Sequence, residues 1–252
     1  MTKERNAPAL KKVLLTLLFF WTATSCVHAH ENAFSKQAVD PDAIGNPGTL
    51  TAPDGKTSVR LGSVLKKGEE YRRLLLTFDS DGHKTTFDVG RAVGSELLWS
   101  PDSKALAVTI SHTSANGVFD LFVFQVEAGA VRKIDASPVI RKLFGHPVVC
   151  AYPEPPNVAA ITWVDSSARL LVAAQILDHS ICDSFGTFKL FQLDVPSLAV
   201  DKAYDQITAK RLFGPQLGAF LRAARDACIT NPKSCELPTN HPPTMHSPHA
   251  LP

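Results

Sequence analysis

Methionine, tyrosine and tryptophan are scarce in this chain, and neither sign of charge dominates. Its 252 residues hold two methionines, three tyrosines and three tryptophans, and 26 basic side chains stand against 24 acidic ones. That balance excludes the basic stripe expected of a nucleic-acid binder. No Cys-x-x-Cys pair occurs, so a zinc site would lack its usual paired thiolates. No Gly-x-Ser-x-Gly elbow frames a serine. The one short glycine pair, Gly45 to Gly48, contains Pro47 and opens no helix, so no phosphate cradle is expected. No cofactor is expected either.

What the chain does have is a repeat. Its best copy is Leu97-Leu98-Trp99-Ser100-Pro101-Asp102-Ser103-Lys104-Ala105-Leu106-Ala107-Val108. Pro101 has its φ fixed near the value a type I turn needs, and Asp102 and Ser103 can bond nearby backbone. Apolar residues flank the turn at the spacing of strands. Phe119 to Val126 and Ala130 to Ile134 add two more, so about 40 residues hold roughly four strands, the size of one propeller blade. An earlier copy runs from Ala52 to Leu61, where Pro53, Asp54 and Lys56 stand where Pro101, Asp102 and Lys104 stand. Asp79 to Gly82 then reads as a hairpin turn. A later copy, Ile161 to Val172, keeps Trp163 at the place of Trp99 but has lost the turn proline. Pro53 to Pro101 is 48 residues and Trp99 to Trp163 is 64, so the second interval holds an insertion. It falls at Arg141 to Asn157, which predicts an irregular surface loop.

The Trp-Ser-Pro-Asp-Ser-Lys-x-Leu-Ala pattern resembles the WD-like repeat of periplasmic β-propellers of the TolB kind, over about 150 residues from Leu50 to Asp201. The resemblance implies a mainly β fold: antiparallel hairpins in an incomplete propeller-like array, with one C-terminal helix. In such families the repeat is scaffold, so no catalytic residue carries over, and the loop faces bind proteins, peptides or small ligands. Closed propellers have four to eight blades and three are counted here. An antiparallel sandwich or meander sharing good turn chemistry is the alternative.

The flanks differ in composition. Residues 1–29 read as a signal peptide, with Lys3, Arg5, Lys11 and Lys12 before an apolar run from Val13 to Trp21 and Val27-His28-Ala29 as a cleavage site. That run is shorter than the roughly 20 residues of a bilayer span, so no span remains after removal; an uncleaved anchor is the alternative. Losing the segment lowers the formal charge from +2 to about −1. A periplasmic or secreted location follows, with lipid anchoring at Cys26 as a weaker alternative. Residues 30–50 read as a linker or a loosely held N-terminal arm, and 51–205 as the repeats. Residues 206–230 show helical spacing, with one helix expected from Pro215 to Ala227. Residues 231–252, rich in proline and holding His241, His246 and His249, read as a disordered tail.

Four cysteines remain beyond the signal: Cys150, Cys182, Cys228 and Cys235. An even count in a secreted chain points to two disulfides. Cys228 with Cys235 and Cys150 with Cys182 is one of three pairings. Ser100, Asp102 and His112 are the residues from which a triad would be built, without any nucleophile context. Asp178, His179 and Asp183 form a polar loop cluster that could serve recognition. The functional expectation is an exported, non-enzymatic binding or scaffold protein with a protein or cell-envelope partner, or a homodimer that completes the ring. An exported hydrolase with an unidentified site is the alternative.

Overall fold

Ser100 and Ala52 show the repeat at the level of single hydrogen bonds. In the second copy, Ser100 N–H donates to Ala105 O at 2.8 Å and Ser103 N–H to Ser100 O at 2.9 Å. In the first, Ala52 N–H donates to Thr57 O at 2.8 Å and Gly55 N–H to Ala52 O at 3.0 Å. These are the same bonds, 48 positions apart. The Asp side chain closes each turn: Asp54 Oδ1 accepts from Lys56 N–H, and Asp102 Oδ1 from Lys104 N–H. Gly55, Ser103 and Ser167 all sit in left-handed backbone, at φ +73°, +63° and +77°.

The computed structural model describes residues 32–40, 48–68, 72–112, 117–145, 155–167, 169–176 and 186–224, all within one compact unit, Glu31–Pro252. The chain is mostly β. Its strands are β1 (Thr49–Thr51), β2 (Thr57–Val64), β3 (Arg73–Ser80), β4 (His83–Arg91), β5 (Gly94–Trp99), β6 (Ala105–Ser111), β7 (Phe119–Glu127), β8 (Ala130–Asp135), β9 (Asn157–Val164), β10 (Arg169–Gln175), β11 (Phe188–Asp194) and β12 (Ala199–Tyr204). They form three four-stranded sheets, each a meander of consecutive antiparallel strands, and no sheet closes into a barrel. The repeat turn joins the first and second strands of each sheet. The expected hairpin at Asp81-Gly82 is present with both residues at positive φ, as is its counterpart Ala128-Gly129, the signature of a tight hairpin that follows strand twist.

The pattern of apolar residues sets the stacking order. β6 is buried along its whole length. Leu106, Val108 and Ile110 pack on Val59, Leu61, Leu76 and Phe78 of the first sheet. The smaller Ala105 and Ala107 face the third sheet, against Leu170 and Val172. A strand covered on both faces reads as a continuous apolar run. In β2, by contrast, Val59 and Leu61 are buried while Ser58, Arg60 and Gly62 are not, the alternation of a strand wetted on one side. The first sheet therefore ends the array with a polar outer face. The outer face of the third sheet is covered instead: Leu171, Ala173, Phe188 and Leu190 pack against Phe34, Ala209, Leu217 and Leu221.

That cover corrects two expectations. Residues 32–40 are an arm, but not a loosely held one. Phe34 and Ser35 are fully buried, and Val39 forms a two-way bridge with Leu97 on the free edge of β5. The C-terminal apolar face is also not one helix from Pro215. It is α2 (Gln206–Phe213), a 3₁₀ turn (Gly214–Gln216) and a short α3 (Ala219–Ala223). Asp205 caps α2, accepting from Thr208 N–H, and Leu217 is drawn into extended backbone by pairing with Ser35. Tertiary pairing overrides the helical spacing there. A further helix, α1 (Ser137–Phe144), occupies the start of the insertion.

Candidate recognition surface

The three repeat turns lie at one end of the array and are tied to one another. Asp54 N–H donates to Ser103 Oγ at 2.9 Å, and Asp102 N–H donates to Ser167 Oγ at 3.1 Å. Each turn thus presents an amide to the serine of the next. Beside them, the β3–β4 and β7–β8 hairpins and the β11–β12 turn frame a groove of about 710 Å³. Lys56, Lys104 and Arg132 line it together with Asp81, Asp102 and Glu127, and Trp163, Val195 and Pro196 add apolar surface. Charges of both signs beside apolar surface suit a polar partner with one or two apolar anchors. A second groove of about 730 Å³, lined by Arg60, Thr77, Asp79 and Lys84 among others, marks the polar outer face of the first sheet.

The residues of the triad idea are not brought together. Ser100 Oγ donates to Asp102 Oδ1 at 2.7 Å and accepts from Ala105 N–H at 2.9 Å. Both side chains are used up in shaping the turn. His112 lies beyond the far end of β6, seven residues of strand away, roughly 23 Å. There its Nδ1 is 2.7 Å from Arg91 O and its Nε2 is 3.5 Å from Asp120 Oδ2. Arg141 holds the other Asp120 oxygen at 2.7 Å, and donates to Pro156 O and Phe119 O. The two Asp120 oxygens are thus shared between His112 and Arg141. Asp178, His179 and Asp183 lie outside the described residues, as do Cys26, Cys150, Cys182, Cys228 and Cys235 and the tail histidines. Among the described residues, no group of three or more His, Cys, Asp or Glu side chains could hold a metal ion. No helix among them is long and apolar enough to cross a membrane.

One buried ionisable group escaped the sequence reading. Glu96, on β5, is 6% exposed. Its two carboxylate oxygens accept the main-chain N–H groups of Phe34 at 2.9 Å and Ser35 at 3.0 Å. Burial pushes its pKa up to about 7, against the pull of the Phe34, Ser35 and Ala33 amides, and the charge of Asp40 adds to the rise. The only sequence signal was a single carboxylate in the otherwise neutral strand Gly94-Ser95-Glu96-Leu97-Leu98-Trp99. An acid inside a buried strand needs partners.

No family model matches the chain, and no curated protein matches it. Among solved structures it is similar to an acylaminoacyl peptidase of Pyrococcus horikoshii, at a TM-score of 0.35 and 14% identity. The match covers 60% of this chain and 23% of the peptidase. At that score the likeness carries no argument, and the architecture rests on the sheet topology alone.

Proposed function

We propose that this chain is an exported, non-enzymatic binding module that takes a protein or cell-envelope component at the turn end of its three-sheet array. The observation that carries the reading is the groove of about 710 Å³, to which all three sheets contribute turn residues. Turns held by a rigid scaffold are where binding residues concentrate. The Asp–Ser bonds between successive turns supply that rigidity, because they fix the turns relative to one another. Export rests on the signal-like residues 1–29, and the 141–157 and 178–183 segments are a second surface to be tested separately. Ring closure by a second copy has less to recommend it: the arm and the C-terminal helices already cover the third sheet, where a further sheet would have to stack.

The test compares three immobilised proteins in crosslinking against cell-envelope extracts. These are the wild type, a Lys56→Glu/Lys104→Glu/Arg132→Glu variant, and a variant with 178–183 replaced by Gly/Ser. A species held by the wild type and lost in the charge-reversed groove supports the reading. Retention in that variant with loss in the loop variant moves the site to the other surface. Turnover of any substrate in a broad hydrolase panel, abolished by His112→Ala, overturns the binding-module reading in favour of the exported hydrolase.

A further inference from the structure

The two ends of the array are finished differently. On the third sheet the cover is built in. Phe34 O accepts from Gly218 N–H at 2.7 Å, Asn32 O from Ala219 N–H at 2.9 Å, and Ala33 O from Phe220 N–H at 2.8 Å. Those amides belong to the start of α3, whose first N–H groups have no partner inside the helix. Ser35 Oγ donates to Ile161 O on β9 at 2.6 Å, so the arm ties that sheet to α3. The outer face of the first sheet is instead open among the described residues, and the groove of about 730 Å³ runs over it.

Cross-strand pairing arranges this open face in rows. Thr49, Arg60, Thr77 and Thr86 are successive neighbours across β1, β2, β3 and β4, and Thr51, Ser58, Asp79 and Lys84 form the next row. Gly62 leaves a gap beside Arg60, where a Cβ would meet only Leu75 Cβ, at 4.0 Å. The carboxylates of the face are already engaged. Asp79 Oδ2 lies 3.7 Å from Lys84 Nζ, and Asp88 Oδ2 lies 2.8 Å from both Lys66 Nζ and Arg73 Nε. Arg60 is exposed, and among the described residues nothing bonds its guanidinium. The hydroxyls around it are open as well. Thr77 and Thr86 share one hydrogen bond at 3.0 Å, which uses one of their two hydrogens and leaves the other for an outside acceptor.

We propose that this face is a second binding site, independent of the turn-end groove, for an acidic polysaccharide whose sugar carboxylates dock on Arg60. A guanidinium fork takes a carboxylate through two parallel hydrogen bonds. Ser and Thr hydroxyls both donate and accept, which matches the hydroxyls that surround each sugar carboxylate. Neighbouring strands stand about 4.8 Å apart, comparable with the advance of one sugar unit in an extended chain. A chain laid along the Thr49–Thr86 row therefore meets one polar side chain per unit. A protein partner fits worse. Its interface would need a core of aromatic or large apolar anchors, and the groove is lined by no aromatic residue and by Leu61 and Leu75 alone among apolar side chains.

Affinity electrophoresis of the full chain tests the site, through gels holding either polygalacturonate, a carboxylate polymer, or neutral dextran. Polygalacturonate is expected to retard the protein and dextran is not. Arg60→Gln is expected to raise the apparent Kd for polygalacturonate about tenfold, as the loss of a charge-assisted contact does. Lys142→Gln on α1 and Lys104→Gln in the turn-end groove remove the same charge elsewhere and are expected to leave it unchanged. Asp79→Asn removes a like charge from the ligand's path and is expected to tighten binding about twofold to threefold, a gain that misfolding cannot imitate. Absence of retardation by polygalacturonate, equal retardation by dextran, or an equal loss in Arg60→Gln and Lys142→Gln overturns the proposal. Loss in Lys104→Gln without loss in Arg60→Gln moves the polymer to the turn-end groove and overturns it too, as does an Asp79→Asn protein that binds no tighter than wild type.

Discussion

The Asp102 main-chain N–H donates to Ser167 Oγ across 65 positions of sequence, at 3.1 Å. Asp54 makes the same bond to Ser103, so one interaction recurs at each sheet boundary. Both serines hold positive φ, which strains a residue with a side chain. Removing the hydroxyl without relieving the backbone should therefore cost more than removing both. Ser103→Ala is expected to destabilise by about 1 kcal/mol. Ser103→Gly should cost less, because glycine is at ease at that φ; Gly55 already occupies the equivalent place in the first copy. Chemical denaturation checks both variants. Equal losses would mean that the hydroxyl alone matters there and the backbone strain does not.

The two repeat tryptophans make a matched pair. Trp163 Nε1 donates to Leu98 O at 3.2 Å. Trp99, its counterpart in the second copy, packs edge-on to Phe78 with ring centroids 6.3 Å apart, and its buried Nε1 has no partner. A buried unpaired donor costs about 1–3 kcal/mol. Trp99→Phe removes that donor and keeps a ring, whereas Trp163→Phe gives up the indole bond to the Leu98 carbonyl. Thermal unfolding should show Trp163→Phe as the more damaging of the two by at least about 1 kcal/mol. The reverse order would mean that ring volume outweighs hydrogen bonding at both sites.

The repeat was legible because its chemistry is local. Pro101, Asp102 and the alternation around them fix a turn and two strands without help from the rest of the chain. The mainly β architecture and the three-sheet array followed from counting such turns. The sequence reading did not reach contacts made at long range. Glu96 meets Phe34 across 62 positions, and nothing near either residue announces the other. The C-terminal helices were misplaced for a related reason. Pro215 carries the local signal of a helix start, but Asp205-x-x-Thr208 supplies the actual cap and the arm dictates where α3 begins. The candidate loop Asp178–Asp183 lies outside the described residues, and the proposed recognition surface rests on turn residues instead.

Asp88 carries a pH signature of the opposite sign to Glu96. Hydrogen bonds from Arg73 hold its carboxyl far below the usual range, with Lys66 and the Gly90 amide adding to the pull against partial burial. Lys66 Nζ and Arg73 Nε both lie 2.8 Å from Asp88 Oδ2. A lowered folded-state pKa gives its full stabilisation above the unfolded value, near 3.8, and loses it progressively as pH falls from there through the folded-state value. Asp88→Asn should therefore cost up to about 1 kcal/mol at neutral pH, since the cluster is partly open to water. The gap from wild type should begin to narrow below pH 4 and be clearly smaller at pH 2 than at pH 7, and it should shrink in molar salt at neutral pH. Urea titrations at pH 7, 4 and 2 decide it. A gap as wide at pH 2 as at pH 7 would assign the loss to packing instead of charge.

Gly218 tests whether the arm is structural cement or a passive tail. A Cβ placed there would lie 2.5 Å from Asn32 O and 2.6 Å from the carbonyl carbons of Ala33 and Phe34. These are backbone atoms, which cannot swing aside as a side-chain tip would. Gly218→Ala should force the arm off α3, uncapping that helix and opening the cover over Leu171 and Leu190. The expected cost is about 3 kcal/mol, at the upper end for overpacking, because hydrogen bonds are lost as well. Gly214→Ala is the control: nothing lies within 4 Å of a Cβ there, its backbone is helical, and its effect should stay within about 0.5 kcal/mol. Trypsin provides a second readout, through cleavage after Lys36. The Gly218→Ala protein should be cut there much faster than wild type or Gly214→Ala. Equal cleavage in all three would show that the arm holds its place through Glu96 and Ile161 alone, with the contact to α3 dispensable.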